Sequence, residues 1–240
     1  MPKAVERGYH PVDEREFSDA VLPLLQEAQR DIVYLLNRDY EMEPVVRFVG
    51  DRRQFSARQR MALTRASCLS AAQQGRQARE WKGDLQGQTV YIDGFNLIIA
   101  LESALAPRSS LMRCMDGTLR DLCGLRGNYR IIESTLVSIE WMAQALQALG
   151  AGRAVFYLDA PVSNSGRLKL AILEGMEAVA VETEVALVPN ADACLWDKDC
   201  VVTSDSVILD RCPSWLNLAR YIVAERLPTR RLLPLDGAAL

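Results

Sequence analysis

The segment VYIDGFNLII, Val90 to Ile99, places Asp93 between two apolar runs, with Gly94 directly after it and Asn96 three residues on. The run up to Asp93 has the length and apolar content of a buried strand, and Leu97–Leu105 resumes at helical spacing. A carboxylate in such surroundings costs roughly several kcal/mol unless it is paired or holds a cation. The rest of the chain must therefore supply a partner for Asp93.

The hydrophobic period changes around residue 88. Before it, residues 17–38 put Phe17, Val21, Leu24, Leu25, Ala28, Ile32, Leu35 and Leu36 on one helical face. A short helix is expected around 43–49, and Ser56 with Gln59 reads as a capping box opening a helix to about residue 75. Gly83, Gly87 and the polar residues between them mark a linker. Beyond it, strands are expected at 90–93, 154–158, 178–185 and 200–203, with a further one at 231–235. Helices are expected at 97–105, 131–149, 166–176, 191–196 and 215–226. Strands alternating with helices imply βαβ units and a mostly parallel sheet. The expected organisation is a helical, arginine-rich part (residues 1–86) followed by an α/β part (residues 87–240).

Composition excludes several classes. Of the 240 residues 49% are hydrophobic and 25% charged, as in ordinary soluble domains. The six cysteines form no C-x-x-C pair and His10 is the sole histidine, which argues against structural zinc. They sit in apolar contexts and are expected to pack as small hydrophobes. No apolar run is long enough to span a membrane and no signal peptide is evident, so no membrane partner and a cytoplasmic location are expected. The net charge of −3 names no partner, but its distribution is uneven. Residues 44–82 hold nine basic side chains against two acidic ones, and Arg52, Arg53, Arg58, Arg60 and Arg65 form a candidate nucleic-acid-binding face. Phe48 and Phe55 nearby are expected to be core rather than stacking platforms.

Each central strand ends in a polar residue: Asp93, Asp159, and Ser204 with Asp205. Ligands of open parallel sheets bind outside the carboxyl ends of the strands, so these side chains should converge. Asp192 opens the helix before the fourth strand, and Asp210 follows Asp205 by about one helical turn. Converging carboxylates repel unless a cation lies between them, and oxygen-only ligands select Mg²⁺ or Mn²⁺. Asp93, Asp192 and Asp205 are the expected metal ligands; for any one of them alone, helix capping is the plainer account.

DGFN at 93–96, NAD at 190–192 and TSDSVILD at 203–210 resemble the acidic motifs of PIN/NYN-type ribonucleases. The resemblance covers about the last 150 residues. It implies a PIN-like, Rossmann-like sheet with helices on both faces, preceded by a small all-helical domain. It also implies a pocket binding one or two Mg²⁺ or Mn²⁺ ions, hydrolysis of RNA phosphodiesters, and a site of Asp93, Asn96, Asp192, Asp205 and Asp210. An acid from the middle of the domain completes the PIN pattern, and Asp116, Asp121 and Glu133 compete for that place. The segments DYEMEPVVRFVGDRRQFSARQRM and LDAPVSNSG are similar to a family of uncharacterised prokaryotic proteins with a helical front.

Two further motifs need an account. Ser163 and Ser165, after Asp159, precede a helix in a setting that suits phosphate, although plain capping explains them equally well. MDGTL at 115–119 resembles the phosphatase motif D-x-D-G-T, but Cys114 stands at the nucleophile position. Asp116, Arg120, Asp121, Arg126 and Tyr129 around it read as a solvated helix with internal ion pairs, or else as a segment that contacts substrate. The expected function is a metal-dependent ribonuclease or phosphodiesterase acting on RNA. The alternatives are a non-catalytic nucleic-acid-binding or regulatory protein, and a metal-dependent phosphatase.

Overall fold

The computed structural model describes residues 6–124 and 127–237; Arg126 lies outside the described residues. Five helices come first: α1 (Asp13–Glu16), α2 (Leu22–Leu36), α3 (Met42–Arg52), α4 (Ala57–Ala66) and α5 (Ser70–Ala78). There follow β1 (Thr89–Asp93), α6 (Gly94–Leu105), β2 (Met112–Cys114), β3 (Leu119–Arg120), α7 (Glu133–Ala148), β4 (Arg153–Asp159), α8 (Ser165–Met176) and β5 (Glu182–Val188). The chain ends with α9 (Ala191–Leu195), β6 (Val201–Val202), α10 (Ser206–Leu209), α11 (Leu218–Arg226) and β7 (Leu233–Leu235).

The main sheet runs β5-β4-β1-β6 and every pairing in it is parallel. Its strands alternate between two faces, as the period of a pleated strand requires. Val90, Ile92, Ala154, Phe156, Leu158 and Val202 point into a core closed by α6, α7, α8 and α11. Tyr91, Tyr157 and Val201 point the other way, where Leu195 of α9, Ile208 and Leu209 of α10 and Trp215 cover them. Helices therefore lie on both faces, one cover thick and the other thin. In order along the chain the strands are first, second, third and fourth as β1, β4, β5 and β6, so the sheet grows to one side from β1 and then returns to its other side. The reversal falls between β1 and β6, where open α/β sheets form a crevice.

The helical part packs on a second, three-stranded sheet of order β3-β2-β7. Leu25, Ala28, Ile32 and Leu36 of α2, spaced to share one face, join Phe17, Val45, Val49 and Leu63. Met112 and Cys114 from β2, Leu122, and Leu233 and Leu235 from β7 complete that core. The capping box is present: Ser56 Oγ accepts from Gln59 N at 3.2 Å, and Gln59 Oε1 accepts from Ser56 N at 3.0 Å. The helix expected to reach residue 75 is instead two. Ser67 adopts extended backbone, and Ala66 O accepts from Met115 N of the β2–β3 turn.

The third strand begins at Glu182 rather than Ala178, because its register is fixed by residue-for-residue pairing with β4, from Arg153–Glu182 to Asp159–Val188. The segment around MDGTL is a hairpin turn and not a helix, with Gly117 at φ +85°. The last strand lies beside β2 and not in the main sheet. All six cysteines are free, and four of them are buried as small apolar groups. Among the described residues no helix is long and apolar enough to cross a membrane.

Candidate active site

Folding brings Asp93, Asn96, Asp159, Asp192, Ser204 and Asp205 to one cavity of about 400 Å³ at the carboxyl ends of β1, β4 and β6. Asp93 ends β1 and caps α6: its Oδ1 accepts from Asn96 N at 3.3 Å, and its Oδ2 accepts from the Thr203 hydroxyl at 2.9 Å. Thr203 Oγ1 in turn accepts from Asp205 N at 3.0 Å. Asn96 Oδ1 accepts from both the amide (2.8 Å) and the hydroxyl (2.9 Å) of Ser204. Asn96 thus acts as a strut for the loop that carries Asp205. Asp159 Oδ1 accepts from Ala191 N at 2.8 Å and so sets the start of α9, which presents Asp192.

The floor of this cavity is short of positive charge. Burial pushes the Asp93 carboxyl up to about 7; hydrogen bonds from Thr203 and Asn96 oppose the shift, and the charges of Asp192 and Asp205 add to it. Asp192 is also raised, first by burial and then by Asp205 and Asp159. Four carboxylates therefore feel one another across the strand ends. All donors on this floor are oxygens, the chemistry of Mg²⁺ or Mn²⁺ ligands. Among the described residues no group of three or more His, Cys, Asp or Glu stands assembled to hold an ion.

The opposite wall comes from the helical part and the small sheet. Thr64, Arg65, Ser67 and Arg76 line the cavity from α4, the segment after it, and α5; Arg120, Asp121 and Cys123 line it from β3 and beyond. Of the three acids that compete to complete the pocket, only Asp121 lines it. Asp116 is buried and pairs with Arg76 (2.7 Å) and Arg120 (2.6 Å), and its Oδ1 accepts from Thr118. These pairs hold Asp116 below the usual carboxylate range against the effect of its burial, which by itself acts in the other direction. Glu133 lies exposed in the first turn of α7.

Other candidate residues lie elsewhere. Asp210 is outside the cavity lining and pairs with Arg76 Nε at 2.7 Å, because α10 ends after four residues and Asp210 faces α5. Ser163 Oγ donates to Asn128 Oδ1 at 2.8 Å and accepts from Tyr129 N at 3.0 Å, and Ser165 Oγ donates to Ala160 O at 3.2 Å. Both serines thus hold loops together. The arginine face is largely paired: Arg53 with Glu27 and Asp31, Arg58 with the buried Asp13, Arg60 with Asp51. Arg65 alone of the five reaches the acidic cavity, and Arg52 lies exposed on α3. Phe55 is core, but Phe48 is 67% exposed and not core as its apolar neighbours suggested.

Arg76, Arg120, Ser67 and Thr203 were not foreseen as parts of the site. Three of them come from other elements than the strand ends, and no local spacing links them. Arg120 carried one signal, the dense polar cluster around MDGTL.

Residues 82–221 match the family model described as Domain of unknown function (DUF5616), and residues 24–79 match the one described as Protein of unknown function (DUF434). The chain is 37% identical over 187 residues to "Uncharacterized protein MJ0935" of Methanocaldococcus jannaschii, covering 77% of this chain and 88% of that protein. No solved structure matches.

Proposed function

The chain belongs to the DUF5616 family, and from the geometry of its acidic cavity we infer that it is a metal-dependent phosphodiesterase of PIN-like fold with RNA as its substrate. One observation carries this reading: Asp93, Asp159, Asp192 and Asp205 line one cavity at the point where the sheet reverses, and among the described residues none of the four carboxylates is ion-paired. The strand order β5-β4-β1-β6 supports the PIN-like reading.

The donor set fits a hard divalent ion. Asp93, Asp192 and Asp205 would hold it, and Mg²⁺ that keeps most of its waters needs only one or two carboxylates at once, so a fully closed cage is not required. Such an ion, when bound, supplies an activated water and stabilises charge on the phosphoryl oxygens. The protein's own groups do the rest. Asn96 and Thr203 fix the loop of Asp205 against Asp93. Asp192 lines the cavity without an ion pair to another described residue, which leaves its carboxylate open to the ion. Arg65, from the opposite wall, meets the phosphate backbone of the substrate, an attraction that weakens with salt.

The test is Mn²⁺-dependent cleavage of single-stranded RNA. Cleavage is expected, with Asp93→Asn and Asp205→Asn each lowering it by at least about 100-fold. The lack of a ready-assembled metal group favours one second reading, a nucleic-acid-binding protein without turnover. Salt-sensitive RNA binding that survives both substitutions, with no cleavage, supports that reading instead. Turnover of a small phosphoester but not of RNA supports a phosphatase.

A further inference from the structure

The wall facing the acidic floor has a composition of its own. Ser67 is 6% exposed and lines the cavity, yet its hydroxyl has no hydrogen-bond partner among the described residues. An unmade hydrogen bond at a buried hydroxyl is costly, and such groups commonly await a ligand or water. Arg76 and Arg120, with side chains only 4% and 10% exposed, line the same cavity.

Their positions are fixed by the fold. Arg76 donates through Nε and Nη2 to Asp210 and through Nη1 to Asp116. Arg120 donates through Nε to Ser204 O, through Nη1 to Arg65 O and through Nη2 to Asp116. A guanidinium carries about five N–H donors, so each arginine retains two after these bonds. The wall therefore offers surplus donors, rigidly held, and one hydroxyl. A tetrahedral oxyanion presents the matching set of acceptors, and planar guanidinium groups suit it.

We propose that Ser67, Arg76 and Arg120 form a subsite for a terminal phosphate group in the same cavity as the acidic floor. It rests on the reading of that floor as the place where a phosphodiester reacts. The cavity, about 400 Å³, is at the small end of ligand pockets, with unpaired carboxylates at the strand ends and carboxylate-paired arginines elsewhere in its lining. A substrate that fills it has its reacting phosphodiester at the carboxylates and a second, terminal phosphate at the arginines. The substrate class is thus an end-phosphorylated RNA strand rather than an internal stretch of a long one.

The test uses the full chain with Mg²⁺ and two kinds of probe. Binding of inorganic phosphate is followed by calorimetry, and cleavage is compared on short single-stranded RNAs carrying a 5′-phosphate, a 3′-phosphate, or hydroxyls at both ends. Ser67→Ala removes only the unpartnered hydroxyl, so it leaves Tm unchanged or higher. It is expected to weaken phosphate binding about five- to tenfold, the loss of one charge-assisted hydrogen bond. Asp93→Asn is expected to bind phosphate at least as well as wild type while cleaving nothing. One of the end-phosphorylated RNAs is expected to be cleaved in preference to the hydroxyl-ended one, and the preferred end identifies the polarity.

Cleavage of all three RNAs at equal rates, with phosphate binding insensitive to Ser67→Ala, overturns the subsite and leaves the phosphodiesterase reading standing. Phosphate binding that depends on Ser67, without RNA cleavage, retains the subsite for a small phosphoester and removes the RNA reading. Loss of binding in Ser67→Ala matched by a fall in Tm marks the hydroxyl as structural and overturns the subsite.

Discussion

The Thr203 hydroxyl donates to Asp93 Oδ2 at 2.9 Å and so ties the end of β6 to the end of β1 across the point where the sheet reverses. The two residues are 110 positions apart, and the bond is buried. It holds a carboxylate in place where desolvation and two neighbouring carboxylates act against its charge. That tension makes Asp93 a sensitive reporter of the site.

In the fold Asp93 titrates near 7, against 3.8 for an ordinary aspartate. Between about pH 4 and 7 the native state therefore keeps a proton that the unfolded chain has released. Stability contributed by this group is complete below pH 4 and is lost as pH rises through 7. Asn at this position does not titrate. In metal-free buffer, Asp93→Asn should match wild type near pH 4 and exceed it by roughly 2–4 kcal/mol at pH 8, read from urea unfolding. Adding Mg²⁺ should close that gap by stabilising wild type alone.

Asp116 and Asp210 share Arg76 but differ in burial. Asp116→Asn leaves the buried Arg120 guanidinium without a carboxylate and Arg76 with Asp210 alone, and should cost about 3–5 kcal/mol. Asp210 has a side chain 47% exposed, and Asp210→Asn should cost about 1 kcal/mol or less. Chemical denaturation of the two variants measures the difference.

Gly94 allows α6 to start close against β4. A Cβ there would stand 2.6 Å from Leu158 Cδ2 and 3.2 Å from Tyr157 O. Gly94→Ala should cost about 1–3 kcal/mol and displace the adjoining Asp93. Loss of RNA cleavage greater than the loss of folded protein, measured at a temperature where the variant is folded, is the expected sign of that displacement.

Leu235 belongs to the last strand but lies in the core of the helical part. Leu235→Ala should destabilise by about 2–5 kcal/mol, and hydrogen exchange should speed up in α2 and α4 as well as in β2. Protection lost only around the last strand would show that the helices close their core without it.

Much of the α/β architecture was legible because β1, β4 and β6 are short apolar runs closed by an aspartate or a polar pair. The same pattern put Asp93, Asp159 and Asp205 at the carboxyl ends of parallel strands, where they meet. Asp210 was not legible: one turn beyond Asp205 is the same face only if the helix continues, and α10 stops at Leu209. The arginine-rich front misled for a different reason. Its counter-charges are distant in sequence, with Asp13 lying 45 residues from Arg58 and Glu27 lying 26 from Arg53. Charge counted within a window cannot register such pairs. Two strands of the small sheet, β2 and β3, were hidden by their brevity, three and two residues. The hairpin pairs with a last strand that is distant in sequence, Met112 beside Leu233 and Cys114 beside Leu235.

The central claim is that Asp93, Asp192 and Asp205 hold a hard cation at the reversal of the sheet. Anomalous scattering from crystals soaked in Mn²⁺ tests it most directly. The expected result is a peak within bonding distance of at least one of these carboxylates and within the reach of ordered waters of the others, absent in Asp93→Asn. A map with no peak at the strand ends, or with Mn²⁺ only at exposed surface acids, contradicts it.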